Sequence, residues 1–149
     1  MQGARPAGVR IALAESCTGG MISAAISGVA GASDVFECGF VTYSNAAKIS
    51  LLAVHEAELR RFGAVSQEVA RQMAEGALNR SGADLALAVT GVAGPGASGA
   101  KPEGRVCFAL ARTGAETRAQ TREFGAIGRA QVRAAATAHA LQMLIEALR

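Results

Sequence analysis

A serine, a tyrosine and a lysine fall around one candidate strand in the stretch GASDVFECGFVTYSNAAK, between Gly31 and Lys48. Side chains of these three types can carry out acyl transfer. Ser33 falls in a small-residue turn, residues 36–43 are apolar and β-prone, and Ser44-Asn45 offers a helix N-cap with Lys48 on the first turn. A serine hydroxyl is a weak nucleophile until a base takes its proton. A lysine can be that base if burial or a cationic neighbour lowers its pKa toward about 7–8. Tyr43, lying between them, could pass the proton on. The same residues also fit a surface turn serine, a tyrosine packed at a strand end and a solvated helix lysine, and their spacing leaves both arrangements open.

Two glycine-bearing loops could complete a site. Residues 9–14 read as a first strand, which Glu15-Ser16-Cys17-Thr18-Gly19-Gly20 breaks to open a helix reaching about residue 29. Glycines there let a ligand approach the backbone, and free N–H groups at a helix start favour negative charge. A helix start of this composition is also an ordinary structural feature. The second loop, residues 91–104, holds five of the chain's 18 glycines and two of its three prolines. Loops of this length in compact domains are often functional, and the plainer alternative is a hairpin connection. Arg129 and Arg133 open the last helix on one face, at the end where the helix dipole disfavours cations. An anionic partner would offset that cost, so a phosphate role stands beside two solvated arginines.

These candidates need a scaffold. Helical pieces are expected over residues 44–51 and 55–62, followed by a longer helix capped by Ser66 and reaching about residue 79. Residues 85–90 (LALAVT) are continuously apolar, as expected of a buried central strand. Residues 105–112 and 116–124 read as two further strands joined at Thr113-Gly114, and residues 128–148 as the final helix. The order implies a single α/β domain with a mixed sheet and helices on both faces, its glycine loops at strand ends where ligands usually bind.

Composition narrows the function classes. At 149 residues and 50% hydrophobic content the chain supports one domain with a real core, residues 1–8 forming a loose leading segment. No apolar run reaches the length of a membrane span and no signal peptide is legible, so a cytoplasmic location is expected. A net charge of +3, from 15 basic and 12 acidic residues, makes no nucleic-acid patch, and 4% aromatics offer few stacking platforms. A small anionic ligand is expected instead. Cys17, Cys38 and Cys107 lack metal-like spacing and read as buried small residues. With only His55 and His139 present, the latter read as a core residue, no metal site is expected.

Four motifs occur together: AESCTGG (14–20), GFVTYSN (39–45) with Lys48, VTGVAGP (89–95) and KPEG (101–104). In this order and spacing they closely resemble the C-terminal domain family of the competence/damage-inducible protein CinA, over nearly the whole chain from about residue 10. The resemblance implies a three-layer α/β/α sandwich and hydrolysis of nicotinamide mononucleotide to nicotinic acid mononucleotide and ammonia, without metal or cofactor. It makes Ser33 the nucleophile, Lys48 its base and Tyr43 the proton-transfer partner. By the same resemblance Ser16, Thr18, Gly19, Thr90 and Gly91 line the nucleotide pocket and Arg129, with Arg133 second, neutralises the 5′-phosphate. A homodimer is expected on that ground alone. The chain departs from the family's stand-alone members in having only Met1 to Gly8 before the first strand, and the upstream pyrophosphatase domain of larger members is not in it. Two rivals remain: a cysteine amidohydrolase using Cys17, whose place at a helix start would lower its pKa, and a non-catalytic nucleotide-binding or adaptor module linked to competence or DNA damage.

Overall fold

A computed structural model of the protein describes residues 8–149. Apart from Gly8, the expected loose leading segment lies outside the described residues. Strand β1 (Ile11–Glu15) leads into helix α1 (Met21–Ser27), and a short 3₁₀ turn at Ala32–Asp34 precedes β2 (Phe36–Val41). Three helices follow: α2 (Asn45–Leu52), α3 (Glu56–Phe62) and α4 (Gln67–Ser81). Strands β3 (Leu85–Gly91), β4 (Arg105–Arg112) and β5 (Arg118–Glu123) then complete the sheet, and α5 (Arg129–Ala147) closes the chain. The helix starts follow from local chemistry: Ser44 Oγ accepts the Ala47 N–H of α2, and Ser66 Oγ accepts the Val69 N–H of α4.

The sheet runs β2-β1-β3-β4-β5. Strands β2, β1 and β3 are parallel, while β4 and β5 continue antiparallel, Gly91 standing opposite Val106 and Arg105 opposite Glu123. β1 and β3 are buried on both faces, which explains their uninterrupted apolar sequences. Their two faces are unlike. Ile11, Leu13, Leu85, Leu87 and Val89 point large side chains toward α1 and α5, whereas Ala12, Ala14, Ala86 and Ala88 meet α2, α3 and α4. The alanine face lets α4 lie close with its own small stripe of Ala70, Ala74 and Ala77. At Gly76 an added Cβ would stand 2.0 Å from the Leu52 carbonyl oxygen, so α4 and the end of α2 touch backbone to backbone. His139 packs edge-on against Phe108, ring centroids 4.7 Å apart, and burial lowers its pKa, as fits a core histidine. The outer strand β5 exposes Arg118, Arg122 and Glu123, charges that blunt an open edge. No helix among the described residues is long and apolar enough to cross a membrane.

Candidate functional site

Parallel pairing places the C-terminal ends of β1, β2 and β3 along one edge of the sheet. Ser16 follows β1, Thr42 and Tyr43 follow β2, and Thr90-Gly91 close β3. Because β5 runs parallel to β3, the start of α5 and Arg129 come to the same edge. A cleft of about 190 Å³ opens there, lined by Ser16, Cys17, Tyr43, Lys48, Thr90, Gly91 and Arg129, with Asn45 and Ser98. A second space of about 260 Å³ adjoins it along Gly94-Pro95-Gly96, sharing Gly91, Ser98 and Arg129.

Lys48 forms the chemical centre. Although charged residues are rarely fully buried, it is 1% exposed on the first turn of α2, and its Nζ donates to Ser16 Oγ at 2.9 Å and to the Thr42 carbonyl at 2.7 Å. Burial lowers its pKa to about 8, so a neutral amine is accessible near physiological pH. Ser16 is itself buried, its N–H donating to the Val89 carbonyl. A neutral lysine amine within hydrogen-bond distance of a serine hydroxyl can take its proton.

Ser33 does not join them. It lies on the 3₁₀ turn ahead of β2, exposed, with its carbonyl accepting from Arg10 Nη1 at 3.0 Å. Lys48 lies beyond the other end of the same strand. Six residues at the strand rise of about 3.3 Å each separate them by roughly 20 Å, on opposite edges of the sheet. The expected pairing of Ser33 with Lys48 and Tyr43 is therefore corrected, and the serine that meets Lys48 is Ser16.

The remaining expected residues divide between cleft and scaffold. Tyr43, 62% exposed, lines the cleft, and its hydroxyl accepts from Arg129 Nη2 at 2.8 Å. Arg129 Nη1 also donates to the Gly94 carbonyl at 2.8 Å, so this exposed guanidinium links three segments at the cleft mouth. Thr90 and Gly91 line the cleft too, although the Thr90 hydroxyl is already donated to the Ala64 carbonyl. At Gly91 an added Cβ would stand 2.7 Å from the Val106 side chain and 2.9 Å from the Arg105 carbonyl, so close strand packing accounts for this glycine. Arg133 faces the protein instead, donating to the Cys17 and Thr18 carbonyls at 3.1 and 3.3 Å. These carbonyls are the partners it needs at a helix start that disfavours cations.

Thr18 is fully buried and its hydroxyl donates to Glu15 Oε2 at 2.7 Å, while Gly19, at φ +57°, lies against the Arg133 guanidinium. Neither lines the cleft. The free N–H groups expected at the start of α1 are also not free. The Glu15 carboxylate accepts from the N–H groups of Gly20, Ile22 and Ser23 and so takes the place of an external anion. Burial raises the Cys17 thiol to about 11 despite Lys48 and Arg133 nearby, which keeps it protonated and removes the basis of the cysteine rival. Among the described residues no group of three or more His, Cys, Asp or Glu could hold a metal ion.

The sequence pointed to neither Glu15 nor Thr42 as a site residue. The available signal for Glu15 was an acidic residue ending an otherwise apolar strand; Thr42 contributes through its carbonyl, which no side-chain pattern reveals.

Comparison with known proteins identifies the family. The family model described as the CinA C-terminal domain matches residues 1–148. A CinA-like protein of Akkermansia muciniphila is 55% identical over 113 residues, covering 75% of this chain and 27% of that one. The nicotinamide-nucleotide amidohydrolase PncC of Enterobacter agglomerans is 54% identical over 102 residues, covering 68% of this chain and 62% of its own length. The crystal structure of the competence/damage inducible protein CihA from Agrobacterium tumefaciens superposes with a TM-score of 0.94 at 47% identity, over 99% of this chain and 89% of that one. The chain spans about a quarter of the length of several of the relatives it matches.

Proposed function

Because the chain belongs to the CinA C-terminal domain family, we propose that it is an amidohydrolase that converts nicotinamide mononucleotide to nicotinic acid mononucleotide and ammonia, in pyridine nucleotide recycling. The observation that carries this is the buried amine of Lys48 on the hydroxyl of Ser16. An unpaired buried ammonium is costly, and a solvated lysine would serve a purely structural role more cheaply. The 54% identity to a protein named nicotinamide-nucleotide amidohydrolase supports the substrate class.

In the proposed reaction neutral Lys48 takes the Ser16 proton as Oγ bonds to the carboxamide carbon. The resulting oxyanion requires donors already in place, one good donor contributing about 3–4 kcal/mol. Collapse breaks the C–N bond, and the leaving nitrogen receives the proton from Lys48, with the Tyr43 hydroxyl as the relay at the cleft mouth. Ammonia leaves a nicotinoyl ester on Ser16. Water then attacks that ester with Lys48 again as base, releasing the acid and restoring the hydroxyl. Arg129, close to Tyr43 and the Gly94 loop, meets the phosphate of the substrate.

The test is ammonia release from nicotinamide mononucleotide by the purified protein beside Ser16→Ala and Lys48→Ala. Release by the parent and loss in both folded variants is the expected result. A folded parent that binds the nucleotide and releases no ammonia would overturn the amidohydrolase and favour the non-catalytic binding module.

A further inference from the structure

One buried carboxylate has no part in the proposed reaction and is ringed by hydrogen-bond donors from the loop after β1 and the start of α1. Glu15 is the last residue of β1 and 1% exposed. Its Oε2 accepts from Thr18 Oγ1 at 2.7 Å and from the N–H groups of Gly20 and Ile22 at 3.0 and 3.1 Å. Its Oε1 accepts from the N–H and the hydroxyl of Ser23, both at 2.8 Å. Both oxygens thus face only donors, and a carboxylate is the one side chain of this size able to accept on both. The main chain of the same residue reaches the opposite side of the site. The Glu15 carbonyl accepts the Thr42 N–H at 2.9 Å, and the Thr42 carbonyl in turn accepts Lys48 Nζ.

From this we infer that Glu15 is a positioning residue: its carboxylate fixes the loop that carries Ser16 while its carbonyl fixes the segment that holds Lys48. Ser16 directly follows it in the chain, so any rotation of the loop relative to β1 changes the Oγ to Nζ approach. Arg133 holds the same loop from its other side through the Cys17 and Thr18 carbonyls. The loop is thereby fixed without substrate, and the start of α1 is closed to the substrate's anion. That anion is left to the end of the cleft where Arg129 stands. The rate effect of Glu15 rests on the amidohydrolase reading; its hold on the loop does not.

Glu15→Gln keeps the volume and removes one acceptor, so its amide NH₂ must confront N–H donors at Ser23 or at Gly20 and Ile22. Amide hydrogen exchange at Gly20, Ile22 and Ser23 is expected to quicken about 10-fold or more, while β3 and α5 keep their protection. Turnover of nicotinamide mononucleotide is expected to lose about 10²-fold in kcat with KM within about three-fold, the pattern of a displaced nucleophile and an intact binding site. If Glu15→Gln does not fold, Ser23→Ala removes one donor only and is expected to shift the same exchange rates and kcat a few-fold in the same directions. Unchanged exchange at these amides in a folded variant would overturn the inference. So would exchange that quickens equally in β3 and α5, since that is a loss of global stability. A parent without turnover would remove the amidohydrolase, and the exchange measurement would still decide whether Glu15 holds the loop.

Discussion

Ser16 Oγ and Lys48 Nζ, 32 residues apart in the chain, stand 2.9 Å apart in a buried contact at the C-terminal edge of the sheet. Lys48 reaches it from the first turn of α2 and Ser16 from the loop that directly follows β1, so the distance depends on how that loop is held against the start of α2. Burial both lowers the lysine pKa and excludes water from the hydrogen bond. The contact therefore makes specific demands on pH, on each partner and on stability.

The rate should follow the deprotonation of Lys48. With its pKa at about 8, kcat/KM for nicotinamide mononucleotide is expected to rise with pH along a limb whose midpoint lies near that value. Lys48→Arg keeps a permanent charge and should show no such limb. A rate profile flat between pH 6 and about 9 in the parent would exclude Lys48 as the base.

The two serines should separate cleanly. Ser16→Ala is expected to lose at least about 10³-fold in kcat. Ser33→Ala, exposed on the far edge, should stay within about two-fold of the parent, with a stability change inside about 0.5 kcal/mol. Steady-state kinetics and a denaturant titration of both variants check this, and the reverse pattern would restore Ser33 as the nucleophile.

Lys48 should also give stability a pH dependence. Its folded pKa lies below the ordinary 10.5, so between about 8 and 10.5 the unfolded chain holds a proton there that the native state lacks. More protons on the unfolded state means that this contribution to stability rises with pH across that window, by at most about 3 kcal/mol. Chemical denaturation of the parent and Lys48→Met at pH 7.5 and 10 isolates it, since the substitution should remove that part of the slope. Equal slopes in both proteins would show that Lys48 titrates normally.

The two arginines at the start of α5 should differ in kind. Arg129→Ala is expected to raise KM for the phosphorylated substrate by about 10-fold or more, the loss of one charge-assisted contact, with little change in stability. Arg133→Ala leaves the Cys17 and Thr18 carbonyls without their donor and should cost about 1–3 kcal/mol in unfolding free energy. Nucleotide titration and thermal melts on both variants distinguish the roles.

Far from the site, Gly76→Ala tests the close approach of α4. Alanine in a helix interior is ordinarily favoured by about 1 kcal/mol. Here its Cβ would meet the Leu52 carbonyl oxygen at 2.0 Å, with backbone on both sides, so the substitution should destabilise the protein by about 2 kcal/mol or more. A variant that melts at or above the parent would show that the two helices can separate.

Much of the scaffold was legible because local chemistry set it. The apolar runs of β1 and β3, the Ser44 and Ser66 caps, and the order of strands and helices all follow from patterns within a few residues. The family resemblance, rather than local pattern, named Ser16, Tyr43, Lys48, Thr90, Gly91 and Arg129 as site residues, and all six line one cleft. Local pattern failed where direction mattered. Ser33 and Lys48 flank one strand and look adjacent in sequence, yet a strand carries its two ends apart. The helix start with glycines suggested free N–H groups for a ligand, but the Glu15 carboxylate of the preceding strand already accepts from those of Gly20, Ile22 and Ser23.

The sequence by itself determined which residue types were available and which segments would be strands or helices. Only the tertiary structure decided which serine the lysine meets, which arginine faces the cleft, and that Cys17 stays a thiol. Those outcomes depend on parallel strand pairing, which gathers residues far apart in the chain at one edge, and on burial, which shifts the lysine and the thiol in opposite directions.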